Sequence, residues 1–145
     1  MRNEFLEKFG MLIGHWDMML SDAWFLEPRD TQVQGAATFE WIRDAFIGMR
    51  SQLGGAPSYD LMIGYSDARQ SYIALYHDER GVSRVFNMTF DGATWNLWRD
   101  DPDFYQRFIA DVRGDEIAGR WEASEDQGKT WRKDYDLTFR RTVER

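Results

Sequence analysis

Apolar and polar residues alternate with a period of two in two runs of residues 115–141, which a turn containing Gly128 joins. In the second run one side carries Trp131, Tyr135, Leu137 and Phe139, and the other carries Asp134, Asp136, Thr138 and Arg140. Successive side chains of a β-strand point to opposite faces, so this alternation predicts strands with one buried and one solvated face. The same pattern recurs along most of the chain, and it predicts an all-β fold.

Eight further runs with this alternation precede the C-terminal pair, and short turn sequences separate most of them. They cover residues 14–20, 31–43, 45–53, 59–65, 72–77, 82–90, 94–99 and 104–112. Between two of them, Asp91-Gly92 is the strongest hairpin signal in the chain, since this pair favours the tight turns of antiparallel strands. An open sheet of ten consecutive short strands would leave two unpaired edges, one on the first strand and one on the last. Pairing these edges closes the sheet, so the pattern predicts a single up-and-down antiparallel barrel.

Residues 3–12 form the one stretch with convincing helical periodicity. Asn3 is placed to cap the first turn, and apolar residues recur after it at helical spacing. These apolar residues are Phe5, Leu6, Phe9 and Leu12. We expect a short N-terminal helix that ends before Gly14 and packs across one opening of the barrel.

Length and charge set further bounds. At 145 residues the chain is expected to form one domain, residues 1–145, and without cysteine it has neither disulfides nor Cys nucleophiles. The sequence has no apolar segment as long as that of a signal peptide or a membrane span, which predicts a cytoplasmic protein with no membrane partner. The net charge of −7 argues against nucleic-acid binding, because that requires a basic surface.

Aromatic residues are enriched, with seven Trp, six Tyr and ten Phe making up 16% of the chain. Such residues favour half-buried positions in sheets. They indicate either a large aromatic core or an aromatic-lined cavity, and composition alone does not decide between these interpretations.

The tripeptide Gly14-His15-Trp16, which follows the short helix and opens the first strand, resembles the Gly-x-Trp signature of lipocalins and other calycins. In that family the Trp closes the base of a barrel, and an Arg from the last strand stacks across it. The resemblance implies that Arg141, which shares its parity with Phe139, stacks on Trp16. Such a cation–π contact contributes about 1–2 kcal/mol when it is desolvated.

Residues 62–141 are more particularly similar to a bacterial family of lipocalin-like barrels of unknown function. The similar segments are residues 64–67, the strand that begins at Tyr72, and residues 78–81 and 119–124. No established activity comes with that family, so the resemblance supports the barrel and assigns no function.

Residues 124–131, SEDQGKTW, resemble the Asp-box of sialidases and related propellers. The role of that motif is structural, and a propeller would need several such blades and at least twice this length. Asp126 can accept hydrogen bonds from turn amides, and Gly128 supplies a positive φ. We therefore interpret the motif as a stabilised hairpin rather than a sugar-processing site.

The two histidines offer little chemistry for a metal or a cofactor. His15 is expected to point away from the barrel centre, whereas His77 could be a base or a haem ligand if its face is inward. Some barrels of this general shape, the nitrobindins, bind haem through a His late in the chain, and no His follows His77 here. The sequence therefore predicts neither a cofactor nor a metal site.

Arg84 and Arg107 lie among apolar and aromatic residues of two predicted strands. Arg84 alternates with Phe86 and Met88, and Arg107 is close to Tyr105. A buried guanidinium needs an acceptor. Each Arg therefore either pairs with a carboxylate of a neighbouring strand or receives the carboxylate of an aromatic or fatty acid. The sequence leaves both alternatives open.

These observations favour non-covalent binding of a small hydrophobic or aromatic molecule in the barrel. The candidate lining is Trp41, Tyr65, Tyr76, His77, Arg84, Trp98, Arg107 and Glu122. One alternative is a cofactor-free enzyme, because phenolic acid decarboxylases resemble this architecture and use Tyr, Arg and Glu. Tyr76, Arg84 and Glu122 would take those roles in a lyase acting on an aromatic acid. Another alternative is a filled barrel that serves homodimerisation or partner binding, and the sequence does not decide whether the protein is an enzyme.

Overall fold

Ten antiparallel strands pair in chain order, and the first pairs with the last to close a barrel. The computed structural model describes residues 2–54 and 58–143. The strands are β1 (Gly14–Ser21), β2 (Val33–Ile42), β3 (Phe46–Leu53), β4 (Tyr59–Ser66), β5 (Ser71–Asp78), β6 (Ser83–Phe90), β7 (Thr94–Asp100), β8 (Tyr105–Arg113), β9 (Glu116–Ser124) and β10 (Arg132–Arg141). The predicted all-β up-and-down barrel is confirmed, and the predicted strands agree with these bounds to within about two residues.

The segment before β1 forms two short 3₁₀ turns, Glu4–Leu6 and Phe9–Leu12, rather than one continuous helix. Asn3 caps the first turn as expected, because its Oδ1 accepts a hydrogen bond of 3.1 Å from the amide of Phe5. The segment covers one end of the barrel with three fully buried side chains, those of Leu6, Phe9 and Leu12. Nowhere in residues 2–54 and 58–143 is there a helix long and apolar enough to cross a membrane. Helical segments this short have little stability of their own, so packing onto the barrel decides their conformation.

Aromatic side chains fill the middle of the barrel. Phe108 packs between Trp95 and Trp121, with ring centroids 5.1 Å and 5.0 Å away, and Phe86 lies 5.5 Å from Trp121. All four side chains are at most 1% exposed, and their tilted and edge-to-face contacts are those that aromatic rings prefer. The enriched aromatic residues therefore form a large core, and space for a ligand inside the barrel must lie toward its ends.

A β-bulge interrupts β10 near its start. Lys133 pairs with Glu122 and Tyr135 pairs with Trp121, so Asp134 is an extra residue between two regular pairs. Such a residue shifts the alternation of its strand by one position and re-aims the side chains next to it. Bulges of this kind are common at the rims of barrels and near functional sites.

Because of the bulge, two side chains do not lie where the alternation predicts. The alternation predicts Trp131 on the inner face with Tyr135, but the extra residue between them reverses its orientation. Trp131 lies on the outer surface, where the guanidinium carbon of Arg107 is 3.8 Å from the centre of its ring. Asp134, predicted on the solvated face, instead lies at the barrel opening and accepts a hydrogen bond from Trp24.

The two ends of the barrel differ. The N-terminal segment covers the end at which β1 begins and β10 finishes, which we call the closed end. There Arg141 lies opposite Trp16, with its guanidinium carbon 4.3 Å from the ring centroid, so the stack implied by the resemblance to calycins is present. We call the other end the mouth. Its connecting segments include residues 22–32, 79–82, 101–104 and 125–131.

Candidate binding site at the barrel mouth

A cavity of about 240 Å³ opens at the mouth. Its aromatic lining consists of Trp24, Phe25, Tyr76, Phe104 and Tyr135. Its polar lining consists of Arg80, Arg84, Gln106, Arg132 and Asp134. Apolar and aromatic walls with a few converging polar groups are the usual composition of a small-molecule site. The mouth is therefore the candidate functional site of this barrel.

Arg84 is a cationic group of the cavity that has no carboxylate partner among the residues that the structure describes. It begins the inward face of β6, which continues through the buried residues Phe86 and Met88. Its Nη1 donates a hydrogen bond of 3.1 Å to Oε1 of Gln106, a neutral acceptor. Within the described residues its guanidinium makes no ion pair. Burial, followed by repulsion from Arg99, lowers the pKa of Arg84, so an anion placed here would relieve an existing electrostatic cost.

Arg99, which also contacts the ring of Phe104, is neutralised by contrast. Its buried guanidinium donates to Asp101 at 2.7 Å and to Asp103 at 3.1 Å. The ring of Phe104 contacts both cations, with the guanidinium carbon of Arg99 4.5 Å and that of Arg84 5.2 Å from its centroid. The acidic turn between β7 and β8 thus balances Arg99 and leaves the charge of Arg84 directed at the cavity.

The hydroxyl of Tyr76 is already committed. It donates a hydrogen bond of 2.9 Å to Oδ2 of Asp78, and Nη2 of Arg80 donates to the same oxygen at 2.6 Å. Burial, together with this contact to Asp78, raises the pKa of Tyr76 to about 12. The phenol therefore stays protonated at neutral pH, and its ring forms a fixed wall 5.7 Å from the guanidinium carbon of Arg84.

Asp134 enters the cavity because of the bulge in β10. Its Oδ1 accepts a hydrogen bond of 3.1 Å from Nε1 of Trp24. Burial raises the pKa of Asp134, and the hydrogen bond from Trp24 opposes that shift. Next to it, the ring of Tyr135 meets that of Phe25 edge to face at 5.8 Å, and burial holds the pKa of Tyr135 well above its usual value. Asp134 is thus a half-buried acceptor in an aromatic setting.

Of the eight residues predicted to line a site, the structure brings Tyr76 and Arg84 together at the mouth. Trp41 and Tyr65 lie at the closed end instead. The ring of Tyr65 stacks on Phe5 at 4.2 Å, and the guanidinium carbon of Arg2 lies 5.3 Å from the ring of Trp41. These two side chains therefore anchor the N-terminal segment and are remote from the mouth.

The other four predicted residues are on the outer surface, and their expected orientation into the barrel is corrected. They are His77, Trp98, Arg107 and Glu122. Their neighbours in sequence, among them Tyr76, Leu97, Phe108 and Trp121, are buried in the core, and side chains of a strand alternate between faces. Arg107 donates from Nε to Oε1 of Glu122 at 2.6 Å, so the cross-strand ion pair explains this Arg.

Glu122 lies away from the mouth, so the set of Tyr76, Arg84 and Glu122 that the resemblance to phenolic acid decarboxylases implies is not assembled there. Tyr76 and Arg84 point inward from β5 and β6, while Glu122 points outward from β9 and pairs with Arg107 and Arg120. His77 is exposed on the outer face, beside a wide groove of about 780 Å³ that Ser51 and Asp60 also line. Neither His77 nor Glu122 contributes to the mouth cavity.

Several mouth residues are absent from the candidates that the sequence provides. Trp24 and Phe25 lie in the long segment after β1, which carries no periodic signal, and Asp134 is placed by the bulge. Phe104 and Gln106 could have been found from parity, because they alternate with the buried Phe108 and Ala110 of β8. Across residues 2–54 and 58–143, no cluster of three or more His, Asp or Glu side chains is arranged to hold a metal ion.

Fold and site together define a class of protein, a ten-stranded antiparallel barrel with a filled centre and a polar–aromatic cavity at one end. Fourteen chains of solved structures are similar to it. Among them is the crystal structure of Rv2717c from M. tuberculosis, with a TM-score of 0.68 and 11% identity over 99% of this chain and 100% of that one. A scan against protein-family models and a search of curated proteins gave no match. The similarity shows a shared fold, and the likeness to lipocalins is likewise one of fold.

Proposed function

We propose that the protein binds a small aromatic carboxylic acid at the mouth. The ligand carboxylate lies on the guanidinium of Arg84, and its ring lies against the aromatic walls. The observation that carries this proposal is a half-buried guanidinium that has a neutral side-chain acceptor and, among the described residues, no carboxylate partner. Arg matches a carboxylate with two parallel donors, and such charge-assisted bonds are about twice as strong as neutral ones.

The walls of the cavity favour an aromatic ligand over an aliphatic one. Tyr76 and Phe104 already flank Arg84, and Trp24, Phe25 and Tyr135 face the same space. Aromatic pairs gain about 0.5–1.5 kcal/mol beyond the burial of area alone. At about 240 Å³ the cavity is smaller than the roughly 300–1,000 Å³ of drug-sized sites, which fits one ring and a short acid group.

Whether a carboxylate partner is present distinguishes Arg84 from Arg107, the two arginines for which the sequence leaves both alternatives open. Arg107 has the carboxylate of Glu122 at 2.6 Å and stacks on Trp131, so its charge is already balanced on the outer surface. Arg84 is the better carboxylate receptor. A cofactor-free enzyme remains an alternative use of this mouth. Its test is turnover of an aromatic acid, to which the outward Glu122 would not contribute.

The proposal is tested by isothermal titration of the purified protein with benzoate and phenylacetate, and with benzyl alcohol as an uncharged comparison. We expect both acids to bind and the alcohol to bind at least tenfold more weakly, because a charged hydrogen bond contributes about 1.5–3 kcal/mol. Arg84→Gln should weaken the acids at least tenfold. The matched control Arg107→Gln removes a guanidinium from the outer surface and should change their affinity less than twofold.

Equal binding of the alcohol and the acids, or unchanged acid affinity in Arg84→Gln, would overturn the proposal. Native and denaturing mass spectra of freshly purified protein provide an independent check. An added mass that is lost on denaturation and corresponds to an aromatic acid would support the site. An added mass that corresponds to a neutral lipid or to haem would contradict it.

A further inference from the structure

The geometry points to a ligand that carries a hydrogen-bond donor at the end opposite its carboxylate, with Asp134 as the acceptor of that donor. This inference rests on the proposed function of Arg84 and narrows the ligand from any small aromatic acid to one with a hydroxyl or ammonium group. It follows from two charged groups that line the same cavity and that have, among the described residues, no ion-pair partner.

Arg84 and Asp134 belong to opposite walls of the barrel. In the closed sheet, three strands separate β6 from β10 on one side, and five separate them on the other. Both residues line the same cavity of about 240 Å³. Among the described residues no ion pair joins Arg84 to Asp134. A ligand can therefore bridge the gap that the protein leaves open.

Each of these two polar groups has aromatic residues of the lining beside it. Tyr76 and Phe104 flank Arg84. Trp24 donates to Asp134, and Phe25 packs on Tyr135 beside it. A planar ring between the two halves of the lining would have its acid group directed to one wall and its opposite substituent directed to the other. The cavity is thus polar at two opposed points and aromatic between them.

Among the described side chains of the mouth, Asp134 is an acceptor with capacity for a ligand donor. Asp78 accepts from both Tyr76 and Arg80, and Oε1 of Gln106 accepts from Arg84. From the described side chains Asp134 accepts one hydrogen bond, from Trp24 to Oδ1, which leaves capacity at Oδ2. An ionised carboxylate has about four acceptor sites and cannot donate, so it selects a donor group and rejects an ether or a second carboxylate.

The β-bulge determines which aspartate of β10 lies in the cavity. In a regular strand the residues on either side of Tyr135 would both face outward, as Asp136 does. The extra residue places Asp134 in the cavity, while Asp136 stays on the outer surface with Lys133 at 3.1 Å. The chain therefore provides a matched pair of aspartates, one inside the mouth and one outside it.

The experiment compares ligands that differ in one donor. Dissociation constants for 4-hydroxybenzoate and 4-methoxybenzoate are measured on the wild-type protein, together with the longer pair 4-hydroxyphenylacetate and 4-methoxyphenylacetate. We expect the hydroxy acid of at least one pair to bind about tenfold more tightly than its methoxy partner. In Asp134→Ala this preference should fall to less than about twofold, whereas Asp136→Ala should keep it.

The outcomes separate this inference from the proposed function. If benzoate binds through Arg84 but neither hydroxy acid is preferred, or if Asp134→Ala keeps the preference, the role of Asp134 is wrong and that of Arg84 stands. If no acid binds the wild-type protein, both are wrong. If Asp134→Ala fails to fold, Asp134→Leu serves instead, since it keeps a similar volume but removes both acceptor oxygens. A preference undiminished in that variant would also refute the inference. A 4-aminomethylbenzoate titration then tells whether a hydroxyl or an ammonium group is preferred.

Discussion

The guanidinium of Arg141 covers the ring of Trp16 at 4.3 Å and at the same time ties the N-terminal segment to the barrel. Its Nη1 donates to the carbonyl of Ile13 at 2.9 Å, and its Nη2 donates to that of Met11 at 3.0 Å. Nε donates to Asp115 at 2.9 Å. One side chain thereby joins the first strand, the last strand and the covering segment at the closed end.

We expect Arg141→Lys to lower the free energy of unfolding by about 1–3 kcal/mol. Lysine keeps the charge but loses the planar fork that reaches two carbonyls and stacks on Trp16. Chemical denaturation measures the change. The control is Arg140→Lys, because Arg140 is exposed and its contact with Glu116 is long, at 3.5 Å. Equal effects at the two positions would show that the stack does not stabilise the closed end.

Gly119 lies under the ring of Phe108, and Gly119→Ala should destabilise the core by about 1–3 kcal/mol through overpacking. A Cβ at this position would meet Cζ of Phe108 at 2.5 Å, and that ring packs against Trp95 and Trp121, which oppose its displacement. Thermal unfolding of Gly119→Ala and of Gly54→Ala checks this. At Gly54 the nearest atom would be 3.9 Å away, so that variant should stay near the wild type. If Gly119→Ala is as stable as the wild type, the core around Phe108 is less tightly packed than this contact indicates.

The pairing between β3 and β4 is short, and Ser51 supplies side-chain hydrogen bonds where it ends. The buried Oγ of Ser51 donates to the carbonyl of Tyr59 and accepts from its amide at 3.2 Å. Ser51→Ala leaves buried backbone groups unsatisfied and should cost about 1–3 kcal/mol. Ser83→Ala removes an exposed hydroxyl on β6 and should cost less than about 0.5 kcal/mol. Equal denaturation midpoints for the two variants would contradict this account.

Acid should weaken the hairpin between β9 and β10. The hydroxyl and amide of Thr130, with the hydroxyl of Ser124, donate to Asp126 and lower its pKa from 3.8 to about 2. A carboxyl with a lowered folded-state pKa stabilises the fold above its unfolded value and loses that contribution as the pH falls through the folded value. We expect Asp126→Asn to be less stable than the wild type at pH 7, with the difference shrinking between about pH 4 and pH 2. A difference that stays constant with pH would contradict this.

Most of the fold follows from the alternation of apolar and polar residues, because each strand buries one face. Turn chemistry fixes the boundaries, as at Asp91, whose Oδ1 accepts from the amides of Ala93 and Thr94. The stack of Arg141 on Trp16 also follows from parity together with a family resemblance. The conformation of the N-terminal segment is harder to predict, since two 3₁₀ turns and one short helix place the same apolar side chains against the core.

Part of the site could have been read from parity as well. Arg107 shares its face with Asp111 and Arg113, and these charged neighbours mark an outer surface. Parity does not help with His77, because both faces of β5 are apolar. Ile73 and Leu75 share the face of His77, and the inward face also carries apolar residues. The orientation of a strand with two apolar faces depends on its neighbours in the sheet, which one strand's sequence does not specify.

The remaining part of the site depends on features without a periodic signal. The bulge moves Asp134 into the mouth against the simple alternation, and the segment after β1 brings Trp24 to it over a long sequence separation. Both are tertiary effects, since each residue is positioned by a partner that lies more than a hundred positions away or on another strand. They are also the features on which the proposed ligand specificity rests.

The closed end determines how this protein can be tethered. The amide of Asn3 donates to the carbonyl of Asp44 at 2.7 Å, and that of Thr142 donates to the carbonyl of His15 at 2.9 Å, so both lie at the end away from the cavity. A surface linkage or a fused domain attached beyond either residue would leave the mouth open to solution.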